Sequence, residues 1–178
     1  GQRDLPRLKG HEAGVENIIS VIECLGEYHI KYVTLYGFST ENWNRPKNEV
    51  RSLLQLLEEA INKKVLELCN RGVRLRHLGR LDELPQGLQL TVNRAIALTK
   101  NNSEMTLSLA FNYGGRIEIL DAIHRLIAED ISPQNIDEKL FNSYLYTAGL
   151  PDVDLVIRTG GELRTSNFLV WQAAYSEY

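Results

Sequence analysis

Residues 32–38 read YVTLYGF, a run of β-branched and aromatic side chains that ends in the polar stretch 39–48. Such a run predicts a strand feeding a loop. Upstream, Val15, Ile18, Ile19, Ile22 and Leu25 recur at three- and four-residue intervals, the spacing of one buried helical face. Downstream, Val50, Leu53, Leu54, Leu57, Ile61, Val65 and Leu68 outline a long amphipathic helix, and Gly72 follows where a C-terminal glycine cap belongs. The alternation continues with a strand over 73–78, a helix over 88–100, a strand over 105–111, a helix over 118–128 and a strand over 153–157. Residues 132–137 read as an insertion in which Pro133 opens a short helix including Leu140 and Tyr144.

Strands alternating with helices predict an α/β fold, a mostly parallel central sheet flanked by helices. The 178 residues, 43% hydrophobic and 24% charged, fit a single domain over 1–178. A chain of this size buries roughly 70% of its unfolded surface without a disulfide or metal staple. Cys24 and Cys69 fall at apolar positions of helical patterns and read as reduced thiols. With 20 basic and 23 acidic residues the net charge is -3, which argues against the basic face of a nucleic-acid binder. No transmembrane-length apolar run and no signal segment occurs, so the expectation is a cytoplasmic protein whose membrane contact is at most peripheral. The sequence starts at Gly1 and stops at Tyr178 within an aromatic, strand-like run, which suggests trimming at both ends.

In a parallel sheet the loops leaving the carboxyl ends of the strands gather along one edge, where α/β proteins bind ligands. Here those loops are 39–46 (STENWNRP), 112–116 (NYGGR) and 158–167 (RTGGELRTSN), and all three are expected there. They supply arginines, hydroxyls, carboxamides and two glycine pairs, the groups that hold phosphate oxygens. GxxxxGK[ST] is absent, and Gly114-Gly115 lacks the third glycine of a dinucleotide fingerprint. No His-Cys set has zinc spacing, and neither Ser39 nor Ser166 has the elbow glycines or a partner histidine for nucleophilic catalysis. What remains is an anionic ligand, best a diphosphate.

Individual residues keep two readings. Asn42 braces a turn or serves a ligand, and Trp43 tucks onto the core or walls an apolar channel. Arg45, held extended before Pro46, points at a ligand or at solvent. Arg158 ends the apolar pattern Val153, Leu155, Ile157, where an unpaired charge is costly, so an anionic partner is expected. His11 is a structural group or a catalyst. Glu49 is explained by the dipole of the helix it opens, and Glu177 reads as a surface residue.

Residues 38–46 (FSTENWNRP), 112–116 (NYGGR) and 154–162 (DLVIRTGGE) resemble the signatures of cis-prenyltransferases. The resemblance runs from about Leu5 to Tyr178 and includes Gly10-His11 and the closing AAYSEY. It implies condensation of isopentenyl diphosphate onto an allylic diphosphate such as farnesyl diphosphate, with magnesium, by a homodimer. The product would be a long cis-polyprenyl diphosphate, the lipid carrier of bacterial cell-wall synthesis. Carried across by motif, Arg7, His11 and Arg45 hold the allylic diphosphate, and Ser39, Thr40, Glu41 and Trp43 line its site. Asn42 takes the proton-handling position, Arg158, Arg164, Thr165 and Ser166 bind isopentenyl diphosphate, and Glu177 is a magnesium ligand. The growing chain implies an apolar tunnel, expected between the helices around Leu25 and Leu53 and the strand over 105–111.

Three departures accompany the resemblance, one being that the family's final segment, which includes part of the dimer contact, is not in these residues. The family's Asp-Gly-Asn-Gly-Arg-Trp loop, which ends just before the equivalent of Gln2, is not in these residues and is expected in the parent protein. Leu163 stands where many bacterial members carry a histidine. A non-catalytic partner subunit of such an enzyme and an unrelated α/β phosphometabolite-binding protein remain alternatives at this point.

Overall fold

Helices and strands alternate as the side-chain periodicity predicts. The computed structural model describes residues 7–159 and 161–178, without the side chains of residues 7, 8, 11 and 12. The side chains of candidates Arg7 and His11 therefore lie outside the described residues. Chain contacts divide the protein into two compact units, Gly1–Phe111 and Asn112–Tyr178.

The first unit holds α1 (Arg7–Glu27), β1 (Tyr32–Ser39), α2 (Lys47–Asn70), β2 (Val73–Leu78), α3 (Gln86–Thr99) and most of β3 (Met105–Tyr113). Its strands form a parallel sheet in the order β1-β3-β2. β2 and β3 pair in step from Val73↔Met105 to Leu78↔Ala110. The core joins Leu75 and Leu107 of the sheet to Ile61 and Leu68 of α2 and to Leu88 and Val92 of α3. Gly72 sits between α2 and β2 at φ +72°, and a Cβ there would meet Glu104 Cγ at 2.6 Å. Only glycine takes that turn without strain. His77 bonds through Nε2 to the Phe111 carbonyl at 3.0 Å, and burial pulls its pKa down to about 4. It is a neutral structural imidazole with its proton on Nε2.

The second unit carries α4 (Gly115–Ala128) and α5 (Glu138–Tyr144), which share a small core of Ala122, Leu126, Tyr144 and Leu145. Arg125 lies over the Tyr144 ring, 5.1 Å from its centre, and donates to the Tyr144 carbonyl at 2.8 Å.

Four expectations are corrected. The 39–48 stretch is not all loop, since Thr40–Asn44 winds into a 3-10 helix. Pro133 opens its own 3-10 turn, Pro133–Asn135, while α5 starts separately, capped by Asp137 Oδ1 accepting from Leu140 N–H at 2.7 Å. Cys24 is exposed rather than buried, though both thiols are free as expected. The 153–157 strand is reduced to one parallel bridge, Leu155↔Glu177. Its partner segment is built of turns, so Leu155 and Ile157 remain 57% and 71% exposed despite their alternating pattern. Arg158 is thus not the end of a buried strand, and the burial argument for its partner does not apply.

β2 is an edge strand, so backbone groups on its outer side need partners from elsewhere. The fully buried Thr99 of α3 supplies one, its Oγ1 accepting from Leu75 N–H at 3.0 Å while donating to the Ala95 carbonyl at 2.9 Å. Thr99→Val keeps the shape but orphans that N–H, and is expected to cost about 1–3 kcal/mol. Urea unfolding of the variant measures it as a lower midpoint at unchanged slope.

Candidate functional site

Where β1 leaves the sheet, Asn42 Oδ1 accepts from Ser39 N–H at 3.2 Å, and the Asn42 carbonyl accepts from Arg45 N–H at 3.1 Å. The carboxamide therefore braces the turn with its oxygen and leaves its nitrogen without a partner among the described residues. Thr40 Oγ1 donates to Glu41 Oε2 at 3.3 Å. Arg45 Nη1 donates to Glu49 Oε1 at 2.9 Å, so the guanidinium rests on the first turn of α2. Trp43 stands edge-on to Phe38, ring centres 5.2 Å apart. Burial pushes the Tyr36 hydroxyl up to about 12, Glu41 adds to the rise, and a hydrogen bond with Ser39 opposes it. Tyr36 is accordingly neutral at ordinary pH.

Behind this turn lies an apolar cavity of about 340 Å³ between α1, α2 and the sheet. Val15 and Ile18 of α1, Leu53 and Leu57 of α2, and Leu35 and Leu107 of the sheet are among the side chains around it. This apolar cavity lies among the elements where the tunnel is expected, with one difference in its lining. Leu25 packs against the core, and α1 lines the cavity with earlier residues, Gly10 to Ile18. Trp43 is not on its wall; it borders a separate groove with Val50, Leu54 and Leu88.

In the second unit the loops 112–116 and 158–167 do come together. Gly115 N–H donates to the Asn167 carbonyl at 2.8 Å, and Arg116 N–H to Asn167 Oδ1 at 2.9 Å. A Cβ on Gly115 would meet Val170 Cγ2 at 2.7 Å, so this glycine serves close packing. Its N–H is already used, which removes it from the expected phosphate cradle. Ser166, Asn167 and Leu169 all have left-handed backbones, φ 50°, 64° and 43°. Strained conformations of this kind persist where the surroundings over-determine them, often at functional loops.

Arg158, Arg164 and Ser166 meet as expected. Arg158 Nη1 donates at 2.7 Å both to Ser166 Oγ and to the Arg164 carbonyl, and Arg158 Nη2 donates to Glu162 Oε2. Arg164 Nη2 reaches the same carboxylate oxygen at 2.8 Å. Thr165 stays beside them, its carbonyl accepting from Phe168 N–H at 3.1 Å. Glu162, which had no role in the sequence reading, is the anion shared by both guanidiniums. Its position four residues after Arg158 was the available signal. Leu163 is fully exposed.

Glu177 is held by its backbone, donating to the Asp154 carbonyl at 2.9 Å and accepting from Val156 N–H at 2.8 Å, with an exposed side chain. Among the described residues no three His, Cys, Asp or Glu side chains come together as a metal site. Glu177 alone does not make one.

A buried carboxylate escaped the sequence reading. Glu118, 1% exposed, accepts from Tyr113 Oη at 2.5 Å, Gln172 Nε2 at 3.1 Å and Tyr146 N–H at 2.9 Å. Burial raises its pKa above 4.5, while these hydrogen bonds pull it back. A raised folded-state value favours the protonated acid, so this contribution to stability is full below the ordinary value and is lost as pH climbs through the raised one. Glu118→Gln removes the titration. Thermal melts from about pH 4 to about pH 8 are expected to show the variant gaining on the parent as pH rises.

Comparison with known proteins fits this geometry. The family model described as "Putative undecaprenyl diphosphate synthase" matches residues 1–178. An isoprenyl transferase of Heliobacterium mobile is 49% identical over 180 residues, 99% of this chain and 69% of that protein. The ditrans,polycis-undecaprenyl-diphosphate synthase of Micrococcus luteus, described as (2E,6E)-farnesyl-diphosphate specific, is 44% identical over 182 residues, 99% of this chain and 73% of its own. Among solved structures, lavandulyl diphosphate synthase of Lavandula x intermedia, in complex with dimethylallyl diphosphate, superposes with a TM-score of 0.95 at 33% identity, covering 99% of this chain and 78% of that one. A probable undecaprenyl diphosphate synthase of Campylobacter jejuni gives 0.84 at 33% identity, with 93% and 78% covered.

Proposed function

The chain belongs to the undecaprenyl diphosphate synthase family of prenyltransferases, and on that premise we propose that it condenses isopentenyl diphosphate onto an allylic diphosphate such as farnesyl diphosphate. Repeated additions with cis geometry give a long polyprenyl diphosphate, the lipid carrier of cell-wall synthesis in a bacterium.

The observation that carries this reading is the adjacency of an apolar cavity and a polar turn on one continuous segment. Leu35–Phe38 line the cavity, and the next residues, Ser39–Arg45, supply hydroxyl, carboxamide and guanidinium groups. A ligand with an anionic head and an apolar tail matches both halves. Arg45, Ser39, Thr40, Glu41 and Trp43 are assigned to the allylic diphosphate, with Arg7 and His11. Arg158, Arg164, Thr165 and Ser166 are assigned to isopentenyl diphosphate, whose oxygens would take the place the Glu162 carboxylate now has between two guanidiniums.

The allylic carbon–oxygen bond breaks as the new carbon–carbon bond forms, and the electron pair leaves with the diphosphate. Fixed guanidiniums stabilise that developing charge more than they stabilise the bound substrate. Asn42 is assigned to the handling of the proton lost from the isopentenyl unit: an oxygen of the departing diphosphate takes the proton, and the Asn42 amide N–H groups, which can only donate, would hold that oxygen by hydrogen bond. Magnesium, when bound, would neutralise diphosphate charge. Glu177 is this chain's residue assigned to it, and the described residues do not complete a ligand set.

The same reading carries a homodimer and a peripheral contact with the membrane that receives the product. Among the described residues no helix is long and apolar enough to cross one.

Arg158→Ala removes charge-assisted hydrogen bonds worth about 1.5–3 kcal/mol. The expected outcome is a rise in KM for isopentenyl diphosphate of about 10- to 100-fold. Steady-state kinetics with labelled isopentenyl diphosphate checks it, and unchanged constants remove Arg158 from the site. Asn42→Ala is expected to depress kcat with little change in either KM. A full-rate variant overturns the proton assignment.

A further inference from the structure

Among the described residues, Lys64 is the one charged residue whose side chain lines the apolar cavity. Its side chain is only 17% exposed, and its ammonium has two carboxylate neighbours, Glu16 Oε2 of α1 at 3.7 Å and Glu67 Oε2 of α2 at 4.0 Å. Glu16 is held in turn by Lys63 Nζ at 2.6 Å. The two lysines lower the Glu16 pKa, first through the Lys63 hydrogen bond, so the carboxylate stays ionised. The methylene stem of Lys64 thus belongs to the cavity wall and its head to the seam between α1 and α2, the usual division of a snorkelling lysine.

The position along α2 gives this pair its meaning. Leu53 lines the cavity near the end of α2 that follows the Asn42 turn, and Lys64 lies about three helical turns, ~16 Å, further on. Only Val65 and Leu68 continue the lining of α2 beyond it. An apolar chain entering from the turn therefore runs most of the cavity along α2 before it reaches Lys64. To go further it must either press against the Lys64 side chain, whose head sits in the seam, or spread α1 from α2 and separate Lys64 from Glu16. Both oppose extension, because covering the ammonium with apolar chain takes it away from water and from its carboxylate partners.

We propose that Lys64, fixed by Glu16, is a specificity-determining residue that limits the length of apolar chain the cavity accepts. This rests on the reading of the cavity as the holder of the growing prenyl chain.

The test compares the parent with Lys64→Leu, Lys64→Met and Lys64→Arg. The first readout is the product ladder made from farnesyl diphosphate and isopentenyl diphosphate. The second needs no catalysis: calorimetric affinities for n-alkyl phosphates of increasing length, which rise until the chain outgrows its space. The expected result is a longest product extended by at least one isoprene unit, and a later affinity plateau, in the Leu variant, with Met alike and Arg close to the parent. Two apolar variants guard against one that fails to fold. An unchanged ladder and plateau in both overturns the proposal, as does an Arg variant that shifts like Leu. If the parent makes no prenyl product, the proposed function fails instead, and the alkyl phosphate series still decides the role of Lys64.

Discussion

The incompletely filled space between α1, α2 and the sheet is the constraint on which the rest of the first unit depends. An apolar cavity forfeits dispersion contacts that a packed core would have, so the elements around it must be held by other means. α2 solves this by facing two ways. Leu54, Ile61 and Leu68 are buried in the core and also border the cavity, while Val50 and Leu54 turn toward the neighbouring groove shared with Leu88 of α3. α1 is fastened to α2 at the seam by Glu16 with Lys63 and by Glu23 with Arg71 Nη2 at 2.6 Å. Half-exposed pairs like these stabilise weakly, about 0–1 kcal/mol each.

The same weakness has a use among the arginines. Arg45 rests on Glu49, and Arg158 and Arg164 share Glu162, all in partly exposed pairs. A carboxylate keeps each guanidinium oriented, which limits the side-chain entropy lost when a ligand arrives. On the proposed function, a diphosphate, with more charge and more acceptor oxygens than one carboxylate, would displace the internal partner at small cost. The first-turn position of Glu49 has two explanations that act together, the helix dipole and the orientation of Arg45.

Most of the framework was legible because periodicity reports burial directly. The apolar spacing from Val15 to Leu25 and from Val50 to Leu68 placed α1 and α2, and the 73–78 and 105–111 runs became paired strands. Periodicity misled at 153–157, where the pattern was right but the partner segment offered one bridge. Alternation tells which residues would share a face; it does not tell whether anything covers that face. In the candidate site the grouping of Arg158, Arg164 and Ser166 was an implication of the family resemblance, and the structure brings the three residues together around Glu162. The sequence could not anticipate Glu118, whose significance comes from Tyr146 and Gln172, far away in the chain and joined to it only by folding.

Asn167 shows how the loop around Arg158 is held in a conformation it would not choose. Three left-handed residues within 166–169 carry backbone strain, and each is countered by something specific. Asn167 gives its carbonyl and its carboxamide to the first two N–H groups of α4, satisfying donors that a helix start otherwise leaves open. Leu169 is buried, and its carbonyl accepts from Ala173 N–H at 2.8 Å. Ser166 spends its hydroxyl on Arg158. The absence of a side chain at Gly115 lets Val170 and Asn167 approach closely enough for all this to occur. Glycine at this loop is thus required one step back from any ligand: it permits the packing that fixes Asn167, and the fixed loop in turn presents Arg158 and Ser166 in a set geometry before anything binds.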